Sequence, residues 1–299
     1  MSAPNYNMEF KLKIEQIKEL PTLPGVAKSL LKLQKNPDAT IQQLANIIEF
    51  DPILSTQILK YSNSAFFNSA RQIDSLSSAI NLIGFNNALN FSLGISSANQ
   101  FQVPMSGTIG MRGFWQHAIY SAHLMQLLAN KIPLENPPLP GIAYLAGLLH
   151  NFGFILLGHS FPMEFDELNQ ALSRNDADNV LTIERALLGV HHYELAVWLM
   201  RKWGLQKEIM ASVFEHHNES YRGANWVYAN LALINDRVLF NYGLGDADSG
   251  ELPDRILKAL EINEEIVEEC AEALFSQKES IDIMIDGMLS STSVNRTTN

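Results

Sequence analysis

The sequence predicts an all-α protein built as two packed helical bundles. Apolar residues recur at helical spacing along almost the whole chain. Helix-start signals precede several of these stretches. A loop rich in Gly, Ser and Pro over 104–113 then separates an early group of helices from a later one. The expected division is 1–110 for the N-terminal bundle and 111–245 for the second. Residues 252–288 form C-terminal helices packed back on the body, and 289–299 form a polar, frayed tail.

Taken in order, 12–20 carries Leu12, Ile14, Ile17 and Leu20 at nearly helical spacing. Pro21, Pro24 and Gly25 break that helix. A second helix follows, with Val26, Leu30, Leu31 and Leu33 apolar. Thr40 is the expected N-cap of the helix from Ile41. Asp51-Pro52 starts another, with Asp as cap and Pro at the first position. Residues 75–98 are helical with an interruption at Gly84. Beyond the seam, helices are expected over 114–131, 141–159, 164–173, 182–203, 206–217 and 226–240. An amphipathic helical pair over 253–288 closes the chain.

Composition bounds the function classes. With 299 residues, 46% apolar and 18% charged, the chain has a real core. A net charge of −11 disfavours broad nucleic-acid binding, which needs a basic surface to displace counterions. The single cysteine, Cys270, excludes a disulfide framework within the chain and suits a reducing cytoplasm. Residues 1–9 lack a signal-peptide pattern. No window holds ~18 uninterrupted apolar residues, so no membrane span is expected.

Six of the eight histidines fall in four places of the second bundle: His117, His150, His191-His192 and His216-His217. Asp236 follows them. Each lies on or at the end of an expected helix, and packed helices can each project a ligand into a shared interior. Imidazole with carboxylate suits iron, zinc, manganese or nickel. The plainer reading makes each a buried histidine with a hydrogen-bond partner; His123 and His159 suit it best. Spacing alone leaves both open, because no tight pair such as His-x-x-x-His occurs.

The order His117, His150-Asn151, further His, then Asp236 resembles the HD superfamily of metal-dependent phosphohydrolases. That resemblance implies a metal held by the first His, the His-Asp pair and the last Asp, which activates water against a phosphoester. His192, His216 and His217 stand where two-metal relatives place additional ligands. The chain resembles more narrowly the HDOD family, the HD-related output domain of bacterial signalling, over about 12–240. The second bundle is then HD-domain-like. The segments that carry this are Leu20-Pro21-Thr22-Leu23-Pro24, Ile47-Ile48-Glu49-Phe50-Asp51-Pro52, Asn63-Ser64-Ala65-Phe66-Phe67 and Ala79-Ile80-Asn81-Leu82-Ile83-Gly84. Residues 184–196, Trp203-Gly204-Leu205 and His216-His217 match as well.

Asn151 stands where an HD enzyme has Asp. Asn keeps the shape and loses the charge, so a bridging carboxylate is impossible. A single metal on His117, His150 and Asp236 remains open, three protein ligands being a catalytic-type set. So does a metal-free buried polar network of His and Asn. The resemblance therefore implies a cytoplasmic, largely non-catalytic signalling module. It would bind a signalling protein partner or a nucleotide-like small ligand through a degenerate HD pocket. The alternative is a phosphodiesterase-like enzyme with a mononuclear site, and oligomers are compatible with either.

Other features take plainer readings. The 63–67 turn either presents recognition residues or buries its Phe side chains in the core. Trp115, Trp198, Trp203 and Trp226 are core anchors. The acidic run 261–272 is a solvated helix face. No phosphate-binding Gly loop, nucleophile elbow or cysteine metal motif is present.

Overall fold

A computed structural model describes residues 21–67, 72–104, 107–174, 179–245, 247 and 249–293. The expected 12–20 helix and the last residues of the tail lie outside these. The chain is all-α: among the described residues every regular element is helical. It divides into two compact units that do not follow chain order.

One unit comprises Leu23–Gln100 and the segment from Ala271 onward. Its helices are α1 (Gly25–Gln34), α2 (Ile41–Glu49), α3 (Pro52–Ser62), α4 (Leu76–Ile83) and α5 (Phe85–Ala98). Local chemistry sets their ends. Thr40 accepts from the Gln43 backbone while the Gln43 side chain accepts from the Thr40 N–H, a reciprocal cap. Asp51 caps α3 through the N–H groups of Ile53 and Leu54, with Pro52 at the first turn. Gly84, at φ +87°, separates α4 from α5. The turn after α3 is a 3-10 helix, Ala65–Phe67, in which Phe67 meets Tyr61 edge-on and Tyr61 stacks on Phe91. Phe66 and Phe67 are half-buried, between the two readings of that turn. The expected C-terminal pair is three helices: α14 (Asp254–Leu260), α15 (Glu264–Phe275) and α16 (Lys278–Ser293). α16 packs on α3 and the 3-10 turn, which places the chain's end with its first helices.

The other unit comprises Phe101–Cys270 with Pro21 and Thr22. Its division from the first falls ahead of the expected boundary near 110. It holds α6 (Met111–Lys131), α7 (Pro140–Leu149), α8 (Phe152–Ser160), α9 (Pro162–Arg174), α10 (Val180–Leu187), α11 (His192–Trp203), α12 (Lys207–Glu215) and α13 (Trp226–Asn241), followed by α14. Two expected helices are broken. The 141–159 helix splits at His150-Asn151, where Asn151 adopts φ −96°, ψ 18°. The 182–203 helix splits before His192, at a turn containing Gly189 with φ +73°. Trp115 and Trp203 are buried anchors, while Trp198 and Trp226 are half-buried.

The stretch Pro140–Ser160 is long and apolar enough to span a membrane, with mean hydropathy 1.5, although none was expected. Of its 18-residue window, 89% is buried inside the protein. Its apolarity reflects a position at the centre of the unit, a demand that hydropathy cannot distinguish from lipid.

Two close approaches position the site. A Cβ on Gly147 would stand 2.6 Å from the backbone oxygen of Ser121, so α7 crosses α6 at backbone contact. A Cβ on Gly153 would overlap the backbone carbonyl of His192, so α8 presses on the first residue of α11. Only glycine permits either contact. Together they draw His117, His150 and His192 toward one interior.

Candidate metal centre and ligand cavity

His117 on α6, His150 at the end of α7 and Asp236 on α13 converge. Their candidate ligand atoms all lie within 4.8 Å of one another, and all three residues are buried. His117 Nε2 lies 2.7 Å from His150 Nε2. Asp236 Oδ1 lies 3.5 Å from the former and 3.3 Å from the latter. His150 Nδ1 donates to the Gly147 carbonyl at 2.7 Å, a contact only the N–H form can make. Its Nε2 lone pair therefore faces the shared centre when the ring is neutral. This ordering of one ring nitrogen by a backbone carbonyl is the usual support of a metal-ligating histidine.

Asp236 is a charge in a dry place. Burial alone would raise its pKa; His150 first, then contacts from His117, more than offset that and hold the carboxyl far below the usual range. Asn235 Nδ2 donates to Asp236 Oδ1 at 3.1 Å and to Ser121 Oγ at 3.0 Å. His117 Nδ1 and Asp236 Oδ2 are buried with no hydrogen-bond partner. Buried polar atoms are almost always satisfied, so the unpartnered Asp236 Oδ2 marks a place for a group that binds there. Two imidazole Nε2 atoms and one ionised carboxylate fit a divalent cation, while His117 Nδ1 lies on the far side of its ring, beside Gly245.

His192, His216 and His217 form a second group. His192 Nε2 and His216 Nε2 are 3.3 Å apart. His216 Nδ1 donates to the Val213 carbonyl at 2.7 Å. Burial, then the neighbouring His217, push the His216 pKa well below the ordinary imidazole range, so that ring is neutral near pH 7. The groups adjoin: the rings of His150 and His216 lie 5.3 Å apart between centroids.

The sequence reading missed Glu184. It is fully buried on α10; its Oε1 accepts from the His192 backbone N–H at 3.1 Å and lies 3.0 Å from His192 Nδ1. Its Oε2 lies 3.1 Å from the same Nδ1 and 3.4 Å from His191 Nδ1. Burial raises its pKa, but the contacts from His192 and His191 outweigh that and the net direction is down. A carboxylate eight residues before a candidate ligand was the available signal.

His117 and Asn151 both line a cavity of about 190 Å³. Phe114, Phe154, Ile109 and Val180 give it apolar walls. Asn151 is buried at the head of α8. A smaller cavity lies over His216, His217, Asp236 and Arg237. Asn179 and Ala247 border both. Arg237 donates to Ser249 and to the Glu251 carbonyl, which ties down the loop that carries Ala247.

Comparison with known proteins agrees with this architecture. An uncharacterised protein of Treponema pallidum is 23% identical over 254 residues, covering 84% of this chain. The chain spans about half, 48%, of that relative's length. A crystal structure of a candidate signal transduction protein from Marinobacter aquaeolei VT8 superposes with a TM-score of 0.84 at 29% identity, over 97% of this chain and 67% of that one. An HDOD domain protein of unknown function from Geobacter sulfurreducens superposes at 0.73 with 20% identity, over 95% and 98% of the two chains. A candidate phosphohydrolase from Shewanella amazonensis SB2B does so at 0.71 with 18% identity, over 92% and 97%. The latter two show a shared fold. The sequence pattern of the HDOD domain matches residues 20–219, and the chain belongs to the HDOD domain family.

Proposed function

We propose that this chain is a bacterial, cytoplasmic signal-transduction module. In this reading it holds a divalent metal on His117, His150 and Asp236, and binds a nucleotide-like small ligand in the adjoining cavity without turning it over. The observation that carries the reading is the convergence of those three side chains beside a cavity whose wall bears Asn151. A metal held there supplies Lewis-acid polarisation of a phosphoryl group. The chain's own groups do the rest. The Gly147 carbonyl orients the His150 ring, the apolar walls exclude water, and Phe114 and Phe154 offer faces for a flat heterocycle. Asn151 offers an amide donor to a ligand oxygen where an aspartate would repel it and would act as a base. A protein partner would then read the occupied state.

The second reading is a mononuclear phosphohydrolase, favoured by the same His-His-Asp set. Elemental analysis of the purified protein, followed by phosphodiesterase assay with added manganese or iron, separates the two. Bound metal without turnover supports the module, and turnover by the native protein supports the enzyme. Absence of metal, with no ligand co-purifying that His150→Ala abolishes, overturns the pocket reading altogether.

A further inference from the structure

We infer that Glu184 is a positioning residue for the second histidine group: it fixes the His192 ring so that Nε2 presents a lone pair to a cation shared with His216. The inference rests on the reading of this interior as a metal site. It extends that reading to a residue outside both ligand sets.

The argument is one of proton placement. Glu184 Oε1 already accepts from the His192 backbone N–H, and both carboxylate oxygens face His192 Nδ1, at 3.0 and 3.1 Å. One ring N–H can be shared by both oxygens of a carboxylate, whereas an acid proton would sit on one of them, so the hydrogen between Glu184 and His192 Nδ1 belongs to the ring. The neutral ring therefore carries its lone pair on Nε2. His216 reaches the same state independently, because the Val213 carbonyl accepts from its Nδ1. Two lone pairs then face each other across 3.3 Å. That approach is repulsive between bare acceptors and favourable around a cation. His217 stands beside them as the third imidazole.

Position makes Glu184 suited to this and to little else. It is completely buried and lies 3.4 Å or less from Nδ1 of both His191 and His192. Gly153 holds the His192 backbone from the other side. Phe154 stacks on the His192 ring at 4.3 Å between centroids, with planes 22° apart. Ring rotation is thus blocked by packing, and the carboxylate selects which nitrogen faces inward. No carboxylate belongs to the His192, His216 and His217 set, so this supporting charge sits behind the ligands.

Two measurements test the inference. In metal-free protein labelled with 15N-histidine, the His192 signals, assigned by their loss in His192→Gln, should show a single tautomer protonated at Nδ1. An Nε2-protonated ring, or an even mixture, overturns the inference whether or not any metal binds. In Co2+ titrations read by visible absorbance, Glu184→Gln should weaken the second of two binding events about 10–100-fold and leave the first unchanged. Equal affinity in both proteins, with the variant's far-UV dichroism and melting intact, also overturns it. If the wild type binds no Co2+ at all, the metal reading fails and the tautomer measurement alone decides the role of Glu184. A variant that does not fold is judged in the same way, by the wild-type tautomer.

Discussion

The Nε2 atoms of His117 and His150 are 2.7 Å apart although they come from different helices, because α6 and α7 cross where Gly147 faces the backbone of Ser121. The pair is an outcome of backbone packing. Its chemistry is therefore sensitive to small changes outside the ligands themselves, and this governs the following expectations.

Gly153→Ala would place a methyl group on the His192 carbonyl, where no flexible side chain can yield. Overpacking of this kind costs about 1–3 kcal/mol, and backbone-on-backbone overlap belongs at the upper end. Urea unfolding should show the loss as a lower midpoint. An unchanged midpoint would mean that α8 and α11 are not locked together as described.

Asp236→Asn removes the anionic group of the first centre while keeping its shape. Metal added at a hundredfold excess over Kd should stabilise the wild type by about 2.7 kcal/mol. The variant should show little or none of that shift in a thermal melt at the same metal concentration. Equal metal-induced shifts in both proteins would contradict the assignment of Asp236 as a ligand.

His123 lies outside both centres, and burial lowers its pKa to about 4. Its ring meets Tyr144 edge-on at 5.3 Å. The unfolded chain takes up a proton near pH 6.5 and the folded chain only near 4. The neutral ring thus contributes stability that is complete above pH 6.5 and is lost as pH falls through that window. The loss amounts to about 3 kcal/mol at most. His123→Phe fills the same place without titrating, so its stability should fall less between pH 7 and 4 than that of the wild type. Parallel denaturation curves for the two proteins across that range would rule this out.

Arg237→Gln would release Ser249 and the Glu251 carbonyl, two of the contacts that hold the loop bordering both cavities, beside the bond from Asn241 to the Gly250 carbonyl. Amide hydrogen exchange at Ser249, Gly250 and Glu251 should rise severalfold while the exchange of α13 holds. Equal protection in both proteins would show that the loop is held by other contacts.

What the sequence disclosed follows the range of each interaction. The caps at Thr40 and Asp51 and the break at Gly84 are contacts within a few residues, and they were legible. The resemblance carried His117, His150, Asp236 and the three later histidines to their meeting places. The break at His150-Asn151 was not legible, because apolar residues continue on both sides and the turn is imposed by packing against α11. Glu184 escaped for a related reason: its partner is on the next helix, and nothing in a residue string states which way α10 turns back. The placing of α16 against α3 was equally hidden, since an amphipathic face names no partner.

Asn151, which lines the cavity, interrupts Pro140–Ser160, an apolar stretch of which 89% of the 18-residue window is buried. A ligand seated there would touch a segment buried inside its unit, so occupancy and unfolding of that unit become one linked equilibrium. Inside a cell, where proteases sample transiently opened chains, the occupied protein would outlive the empty one. Its abundance would then record how long the ligand had been present.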